Sequence, residues 1–452
     1  MNKTKVAFHT FGCQMNLYDT EVAQGLLANQ GYEITSTMDD GAPDLRLPNE
    51  TDVVIMNTCS VREHAEERVF GRLGMLGKAK KSKPEMIIGL MGCMVEEHRE
   101  KLFRRFPQLD IMVGTRNIKE LPALIDEVRR TRKRVSRIKQ DGIGIEYTDL
   151  IQRQGGNHAW LPVMTGCNKV CTFCIVPITR GAEVSMTARE IYREAARLAG
   201  EGVTWITLLG QNVNSYDGAG PVAGVSGSNF PELLDMLCQI EGLKRISFTT
   251  SHPHDATEEL YKVIARNPKI SRRFHLPLQS GSDKVLKRMK RLHTFDEYAE
   301  KIRLMRELIP DISITTDIIT GFCGETDEDH AASLRALELL RYDSAYIFRY
   351  SVRPGTPASK LADDVPITIK EKRNAELLGL QRQVTQENNQ SLIGQTVEVF
   401  VEDTSSKNAA ELVGITHQEK KVIFPGEKTL LGSFQKIRVE ALKFETFTGS
   451  LT

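Results

Sequence analysis

Cys167, Cys171 and Cys174 fall within the stretch Gly166-Cys167-Asn168-Lys169-Val170-Cys171-Thr172-Phe173-Cys174, which gathers three thiols at C-x-x-x-C-x-x-C spacing into one tight loop. The loop directly follows the strand candidate Leu161–Met164. The other cysteines are Cys13, Cys59, Cys93, Cys238 and Cys323. Met1–Thr10 lacks a signal-peptide core, and no apolar run approaches the roughly 18 residues of a membrane span. The cytoplasm is therefore the expected location. Structural disulfides are disfavoured there, which leaves metal, cluster or redox chemistry as the leading use of the thiols.

Three thiolates in one loop can hold three irons of a 4Fe–4S cluster and leave the fourth without a protein ligand. S-adenosylmethionine, through its amino and carboxylate groups, can chelate that iron. An electron from the cluster then cleaves the sulfonium to a 5′-deoxyadenosyl radical, which reaches C–H bonds too unreactive for acid–base chemistry. Structural zinc on cysteines usually takes two separated pairs, and the chain has no second pair.

The cluster loop sits within a strand–helix alternation running from Ala159 to about Arg349. Strand candidates are Leu161–Met164, Trp205–Leu209, Arg245–Thr249, Phe274–Leu276, Ile312–Asp317 and Ala345–Tyr350. Six such units predict a barrel or partial barrel with its chemistry at the C-terminal strand ends. An earlier alternation, to about Arg130, has strand candidates Val6–Phe8, Val53–Met56, Met86–Leu90 and Ile111–Val113, which predicts a parallel sheet covered on both faces. Cys13, Cys59 and Cys93 each stand just past one of these strands. In an open sheet those ends share one edge and form the ligand crevice, so three thiols remote in sequence would converge. Gly12 and Gly92 would let the backbone approach closely there. Three unrelated buried cysteines are the plainer alternative. Cys238, inside an apolar helix, reads as a core residue.

Between the two alternations, Arg129–Lys139 carries seven Lys or Arg in eleven residues and reads as the start of a linker reaching residue 156. It is either a solvated helix end or an RNA-facing patch, and Lys287-Arg288-Met289-Lys290-Arg291 is a second candidate basic surface for RNA. With 60 basic and 59 acidic residues, any surface for a polyanion has to be local. After a polar helix at Arg373–Gln390, Thr396–Glu402, Ala410–Thr416, Lys421–Phe424 and Gln435–Leu442 alternate apolar and polar residues, predicting a small β-barrel.

These residues resemble the radical S-adenosylmethionine methylthiotransferases over nearly the whole chain. The resemblance rests on Thr10-Phe11-Gly12-Cys13-Gln14-Met15-Asn16, Asn57-Thr58-Cys59-Ser60-Val61-Arg62, Gly92-Cys93, the cluster loop with its trailing Ile175-Val176-Pro177, and Arg180-Gly181. Val422-Ile423-Phe424-Pro425-Gly426, with Gly414, resembles the family's TRAM domain. Three further stretches resemble its tRNA branch, the MiaB class, which makes 2-methylthio-N(6)-isopentenyladenosine. They are Val61–Gly74, Leu209–Tyr216 and Tyr350–Ala358.

The resemblance implies a flavodoxin-like N-terminal domain at 1–128, a basic linker at 129–156, a (βα)6 partial TIM barrel at 157–390 and a TRAM barrel at 391–452. It implies two 4Fe–4S clusters, one on Cys13, Cys59 and Cys93 that donates sulfur and one on Cys167, Cys171 and Cys174. It also implies S-adenosylmethionine as radical source and methyl donor, with Phe173, Gly210, Gln211, Gln279, Ser280, Asp317 and Glu325 at its pocket. The implied partners are the tRNA anticodon stem-loop, an electron donor such as a flavodoxin or ferredoxin, and iron–sulfur or sulfur carriers, with the enzyme monomeric. The same chemistry on threonylcarbamoyl-adenosine in tRNA or on a ribosomal-protein aspartate is the nearest rival. A non-catalytic iron–sulfur RNA-binding or redox-sensing protein is a rival from another class. Two departures stand out. Cys323 occupies a position where the family usually has proline, and Ser391–Thr452 holds seven basic against eight acidic residues.

Overall fold

The computed structural model describes residues 3–38, 51–60, 63–138, 151, 156–218 and 229–452. It divides into two compact units. The first comprises Met1–Gln154, Met164–Asn168 and Cys174–Val184; the second comprises Gly155–Val163, Lys169–Phe173 and Ser185–Thr452.

In the first unit the order is β1 (Lys5–Phe11), α1 (Gln14–Asn29), β2 (Glu33–Met38), β3 (Val53–Thr58), α2 (Glu63–Ser82), β4 (Ile87–Gly92), α3 (Cys93–His98), α4 (Lys101–Arg105), β5 (Ile111–Val113), α5 (Leu121–Thr131) and β6 (Val135–Arg137). The sheet is parallel throughout, ordered β2-β1-β3-β4-β5-β6. Every residue of β3 and β4 is buried, as expected of central parallel strands with helices on both faces. The 2-1-3-4-5 order is that of a flavodoxin-like sheet, whose ligand crevice opens at the C-terminal ends of β1 and β3.

One expectation needs correction here. The basic run does not begin a linker at residue 129. Arg129–Thr131 close α5, Arg132 ends it in the left-handed region at φ +56°, and Val135–Arg137 then pairs with β5 as the edge strand β6. The first domain therefore reaches at least Arg137. The rest of the presumed linker, residues 139–150 and 152–155, lies outside the described residues, as do Val61 and Arg62. Between β4 and β5 the chain forms two short helices, separated at Arg99, whose φ is +46°.

The remaining elements begin with β7 (His158–Pro162), β8 (Met164–Thr165), α6 (Val176–Thr179) and β9 (Val184–Ser185). The barrel continues through α7 (Ala188–Gly200), β10 (Trp205–Leu209), α8 (Phe230–Cys238), β11 (Arg245–Phe248), α9 (Glu258–Arg266), β12 (Arg273–His275), α10 (Asp283–Arg288), α11 (Phe295–Leu308), β13 (Ser313–Thr320), α12 (Asp327–Leu340) and β14 (Ser344–Arg349). The six barrel strands are parallel and run as β7-β10-β11 and β12-β13-β14, with Ile246 bridging to Ile270 between them. Their helices start at strong sequence signals. Thr187 with Glu190, Asn229 with Glu232, Thr294 with Glu297 and Thr326 with Asp329 form capping boxes that satisfy the first free N–H groups.

The long α13 (Ile367–Gln390) leads to a closed barrel of β15 (Thr396–Thr404), β16 (Glu411–Thr416), β17 (Lys421–Pro425), β18 (Phe434–Lys443) and β19 (Thr446–Leu451). β19 was not anticipated because Thr446-Phe447-Thr448-Gly449-Ser450-Leu451 is mostly polar. It closes the barrel by pairing with both β17 and β18, and its Phe447 joins a core of Val399, Leu412, Val422, Phe424 and Ile437. This barrel meets the larger one at Arg245, which is 2% exposed. Arg245 donates from Nη1 to Ile415 O at 2.8 Å and lies 5.1 Å from the Trp205 ring and 5.2 Å from that of Phe434. Beside it, burial and the Arg245 charge push His158 and His417 each down to about 4. No described helix is long and apolar enough to cross a membrane.

Candidate metal centres

Three parallel strands deliver the first thiol set. Cys13 caps α1 just after β1, Cys59 follows β3, and Cys93 opens α3 directly after β4. The Cys59 N–H donates to Phe11 O at 2.9 Å, which ties two of these strand ends together. The glycine expectation holds on steric grounds. A Cβ at Gly12 would lie 2.8 Å from Cys59 Cβ, and one at Gly92, with φ +99°, would meet Asn57 Oδ1 and the Thr58 backbone.

Asparagines fix the edge. Asn16 accepts from Cys13 N at 3.2 Å and from Cys13 Sγ at 3.3 Å, while its Nδ2 donates to Asn57 Oδ1 at 3.0 Å and to Thr58 O at 3.2 Å. Asn57 in turn donates to Asn16 O at 2.7 Å and Thr20 Oγ1 at 3.1 Å.

Arg180 supplies the charge of this edge. It is buried, and its Nη2 pairs with buried Asp19 at 2.7 Å. The segment carrying it is held by the Arg116 guanidinium, which donates to Arg180 O at 2.7 Å, and by Thr115 Oγ1, which donates to Thr179 O at 3.1 Å. A hydrogen bond from Cys59 and the Arg180 charge outweigh burial and bring Cys13 down to about 6. Burial pushes the Cys93 thiol up, opposed by Arg180. Burial disfavours the Arg180 charge, but Asp19, Cys93 and Cys13 hold it protonated. Its Nη1 and the Ser60 Oγ are buried with no partner among the described residues. Three thiols on one sheet edge, two of them interacting with a buried cation that keeps an unused donor, fit an anionic iron–sulfur group.

The second set is local in sequence. Cys167 and Cys174 fall in the first unit and Cys171 in the second. The Cys167 N–H donates to Gly181 O at 3.2 Å, and Asn168 Oδ1 accepts from Glu183 N at 3.0 Å. Around Cys171, Thr172 N donates to Met289 O at 3.0 Å, Thr172 Oγ1 to Arg288 O at 3.1 Å, and Lys169 Nζ pairs with Asp255 at 2.7 Å.

Of the candidate pocket residues, three come together where the segment after β12 runs beside β13. Gln279 N donates to Asp317 O at 2.8 Å, Ile319 N donates to Gln279 O at 2.9 Å, and Ser280 is fully buried beside them. Gln279 holds φ +75°, a strained value for a residue with a side chain. Gly210 directly follows β10, its carbonyl accepting from Thr250 Oγ1 at 2.6 Å, and Gln211 comes next. Phe173 packs on a cluster of Val285, Met289, Phe322, Cys323, Tyr350 and Ala358. Glu325 accepts from Gly321 N at 2.9 Å and pairs with Arg373 at 2.8 Å. Cys323 and Cys238 are buried.

Asn16, Asp19 and Asn57 were missed as supports of the first set, and His252 and Arg291 as neighbours of Cys171. The Asn residues stood in the quoted motifs. Nothing in the sequence marked Asp19 or His252, and Arg291 was read as surface, whereas it is buried.

Sequence profiles match this architecture. Residues 161–337 match the radical SAM superfamily, residues 390–452 the TRAM domain, and residues 5–114 an uncharacterized protein family, UPF0004. A radical S-adenosylmethionine methyltransferase, TsrM, from Kitasatospora setae is similar in fold, with a TM-score of 0.59 at 16% identity over 79% of this chain and 75% of that one. The class is thus a radical SAM fold with two flanking domains. Among relatives, the tRNA-2-methylthio-N(6)-dimethylallyladenosine synthase of Pelotomaculum thermopropionicum is 41% identical over 98% of this chain and 96% of that protein. The synthase of the same name from Pelodictyon phaeoclathratiforme is 42% identical over 99% and 98%. The chain belongs to the family of these synthases, and it is an enzyme.

Proposed function

We propose that this enzyme inserts a methylthio group at C2 of N(6)-isopentenyladenosine next to the anticodon, at adenosine 37 of tRNA. The observation that carries the reading is the gathering of Cys13, Cys59 and Cys93 at adjacent strand ends on one sheet edge, with buried Arg180 acting on Cys13 and Cys93, in a chain that also holds the Cys167–Cys174 loop.

Cys167, Cys171 and Cys174 would hold one 4Fe–4S cluster, and Cys13, Cys59 and Cys93 a second. When bound, the first would supply a 5′-deoxyadenosyl radical from S-adenosylmethionine, and the second the sulfur that another S-adenosylmethionine methylates. Arg180 offsets the negative charge of the first unit's thiolates, and Asn16 and Asn57 keep the strand ends in register around them. Phe173, Gly210, Gln211, Gln279, Ser280 and Asp317 line the S-adenosylmethionine pocket, and Glu325 pins the Gly321 turn beside it.

The substrate base lies in a single-stranded loop, so it can be splayed out at a cost of a few kcal/mol. The chain divides functionally into a sulfur-donor domain ending near Arg137, a radical core at 157–390 and an RNA-binding barrel at 391–452. It works in the cytoplasm as a monomer, with a flavodoxin or ferredoxin as electron donor and sulfur carriers renewing the donor site.

Mass spectrometry of tRNA nucleosides from cells with and without this protein tests the proposal. The methylthio-isopentenyl nucleoside should vanish and its unthiolated precursor accumulate. Loss of a methylthio-threonylcarbamoyl nucleoside or of a modified ribosomal aspartate would transfer the enzyme to another substrate. A tRNA pool left unchanged would remove the tRNA assignment.

A further inference from the structure

The basic run Lys287-Arg288-Met289-Lys290-Arg291 reads as surface, but its last residue turns inward for a definable reason. α10 ends in a Schellman-type cap. Lys290 takes the left-handed conformation at φ +54°, its N–H donates to Lys287 O at 3.1 Å, and the Arg291 N–H donates to Leu286 O at 2.9 Å. The reversal sends Arg291 into the interior, where it is 9% exposed. Its Nη2 donates to Pro277 O at 2.8 Å, and its Nη1 lies 3.4 Å from Cys171 Sγ.

A buried guanidinium costs several kcal/mol unless an anion faces it. Arg291 has no carboxylate partner among the described residues, so the Cys171 sulfur is the group that can play the anion. A second donor faces the same sulfur. His252 Nδ1 accepts from the His254 N–H at 3.2 Å, so in the neutral ring the proton sits on Nε2, which is 3.9 Å from Cys171 Sγ. The carbonyls at the end of α10 that hold Thr172 fix Cys171 against both donors.

We infer that Arg291 and His252 are positioning residues that act through Cys171 to raise the reduction potential of the barrel cluster. The inference rests on the assignment of Cys171 as a ligand of that cluster. Reduction takes one electron from a low-potential one-electron donor and no proton, so the site gains one negative charge. A fixed cation and an N–H donor at a ligand sulfur stabilise the more negative state. Hydrogen bonds to the sulfurs are among the levers that set such potentials.

The test uses the full-length Cys13→Ala/Cys59→Ala/Cys93→Ala protein, so that a single cluster gives the signal. Reduced cluster is read by electron paramagnetic resonance against solution potential, with iron content and circular dichroism measured on each sample. Arg291→Met should lower the reduced-to-oxidised ratio about tenfold at the parent's midpoint, equivalent to 59 mV for one electron. Arg291→Gln, which keeps a donor and loses the charge, should lower it by several fold, and His252→Phe by about threefold. An unchanged ratio in Arg291→Met or Arg291→Gln at four irons per chain overturns the inference. So does loss of iron in both variants with the fold retained, which would make Arg291 a residue of cluster retention. A parent without iron overturns the cluster assignment and the inference together, which separates the two failures.

Discussion

The two cysteine sets are opposite solutions to one problem, the gathering of three thiols. In the barrel, the eight residues from Cys167 to Cys174 do the work, and the spacing alone announces it. In the N-terminal sheet, eighty positions separate Cys13 from Cys93, and only the parallel pairing of β1, β3 and β4 brings the set to one edge. A local loop needs little from the rest of the chain to place its ligands. A distributed set needs a finished sheet, two close-approach glycines, an asparagine network and a buried cation. The distributed set should therefore depend on distant residues, while the loop set should be lost mainly through its own.

The sharpest way to break this comparison is to remove one set at a time. Cys167, Cys171 and Cys174 replaced together by Ala should leave about four of eight irons and abolish cleavage of S-adenosylmethionine. Iron remaining near eight would sink the assignment of the loop. The complementary Cys13, Cys59 and Cys93 variant should still release 5′-deoxyadenosine under strong reductant, yet put no methylthio group on tRNA. Multiple turnovers to methylthio product would end the sulfur-donor role.

A smaller effect, on stability, probes the distributed set through a residue that is not a ligand. Arg180→Met leaves Asp19 buried without its partner and should cost about 3–5 kcal/mol in urea unfolding of the first unit. Part of the loss should return in Arg180→Met/Asp19→Asn. Equal stability of single and double variants would show that the pair does not couple.

Acid should sharpen the comparison from the other side, in the second unit. His158 and His417 are held down to about 4 in the folded protein, below the usual histidine value near 6.5. Between those values the unfolded chain binds more protons than the folded one, so stability falls as pH drops from about 6.5 to 4 and flattens below that. The sum is on the order of a few kcal/mol. The joint of the C-terminal barrel should loosen first, and His158→Gln/His417→Gln should flatten the profile. A pH profile that keeps its slope in that variant would assign the acid loss elsewhere.

The smallest effect concerns RNA. Arg132 pairs with Glu85, and Arg134 donates to the carbonyls of Phe103 and Pro107, so the basic run also serves the fold. Neutralising Arg132, Lys133 and Arg134 should lower the salt slope of tRNA binding by about 1–3. An unchanged slope would leave the run a purely structural role.

Strand–helix alternation, the strand-end position of Cys13, Cys59 and Cys93, and the loop spacing were legible because each depends on neighbours in sequence. Residue periodicity alone missed β19, since a barrel can recruit a polar segment as its closing strand once the other four have formed. It missed β6 because three residues among seven basic ones carry almost no apolar signal, and the strand exists only because β5 offers a free edge. Arg180 and Arg291 show the same limit at the sites. A guanidinium is read from sequence as solvated, because burying it alone is costly. Only the tertiary structure sets Asp19, Cys13 and Cys93 against one of them and the Cys171 sulfur against the other, and without such partners the buried positions would be costly. The sequence by itself thus determined which atoms could bind metal. The fold decided which charges surround them, because the electrostatic cost of a buried cation is settled by what lies within a few ångströms in space.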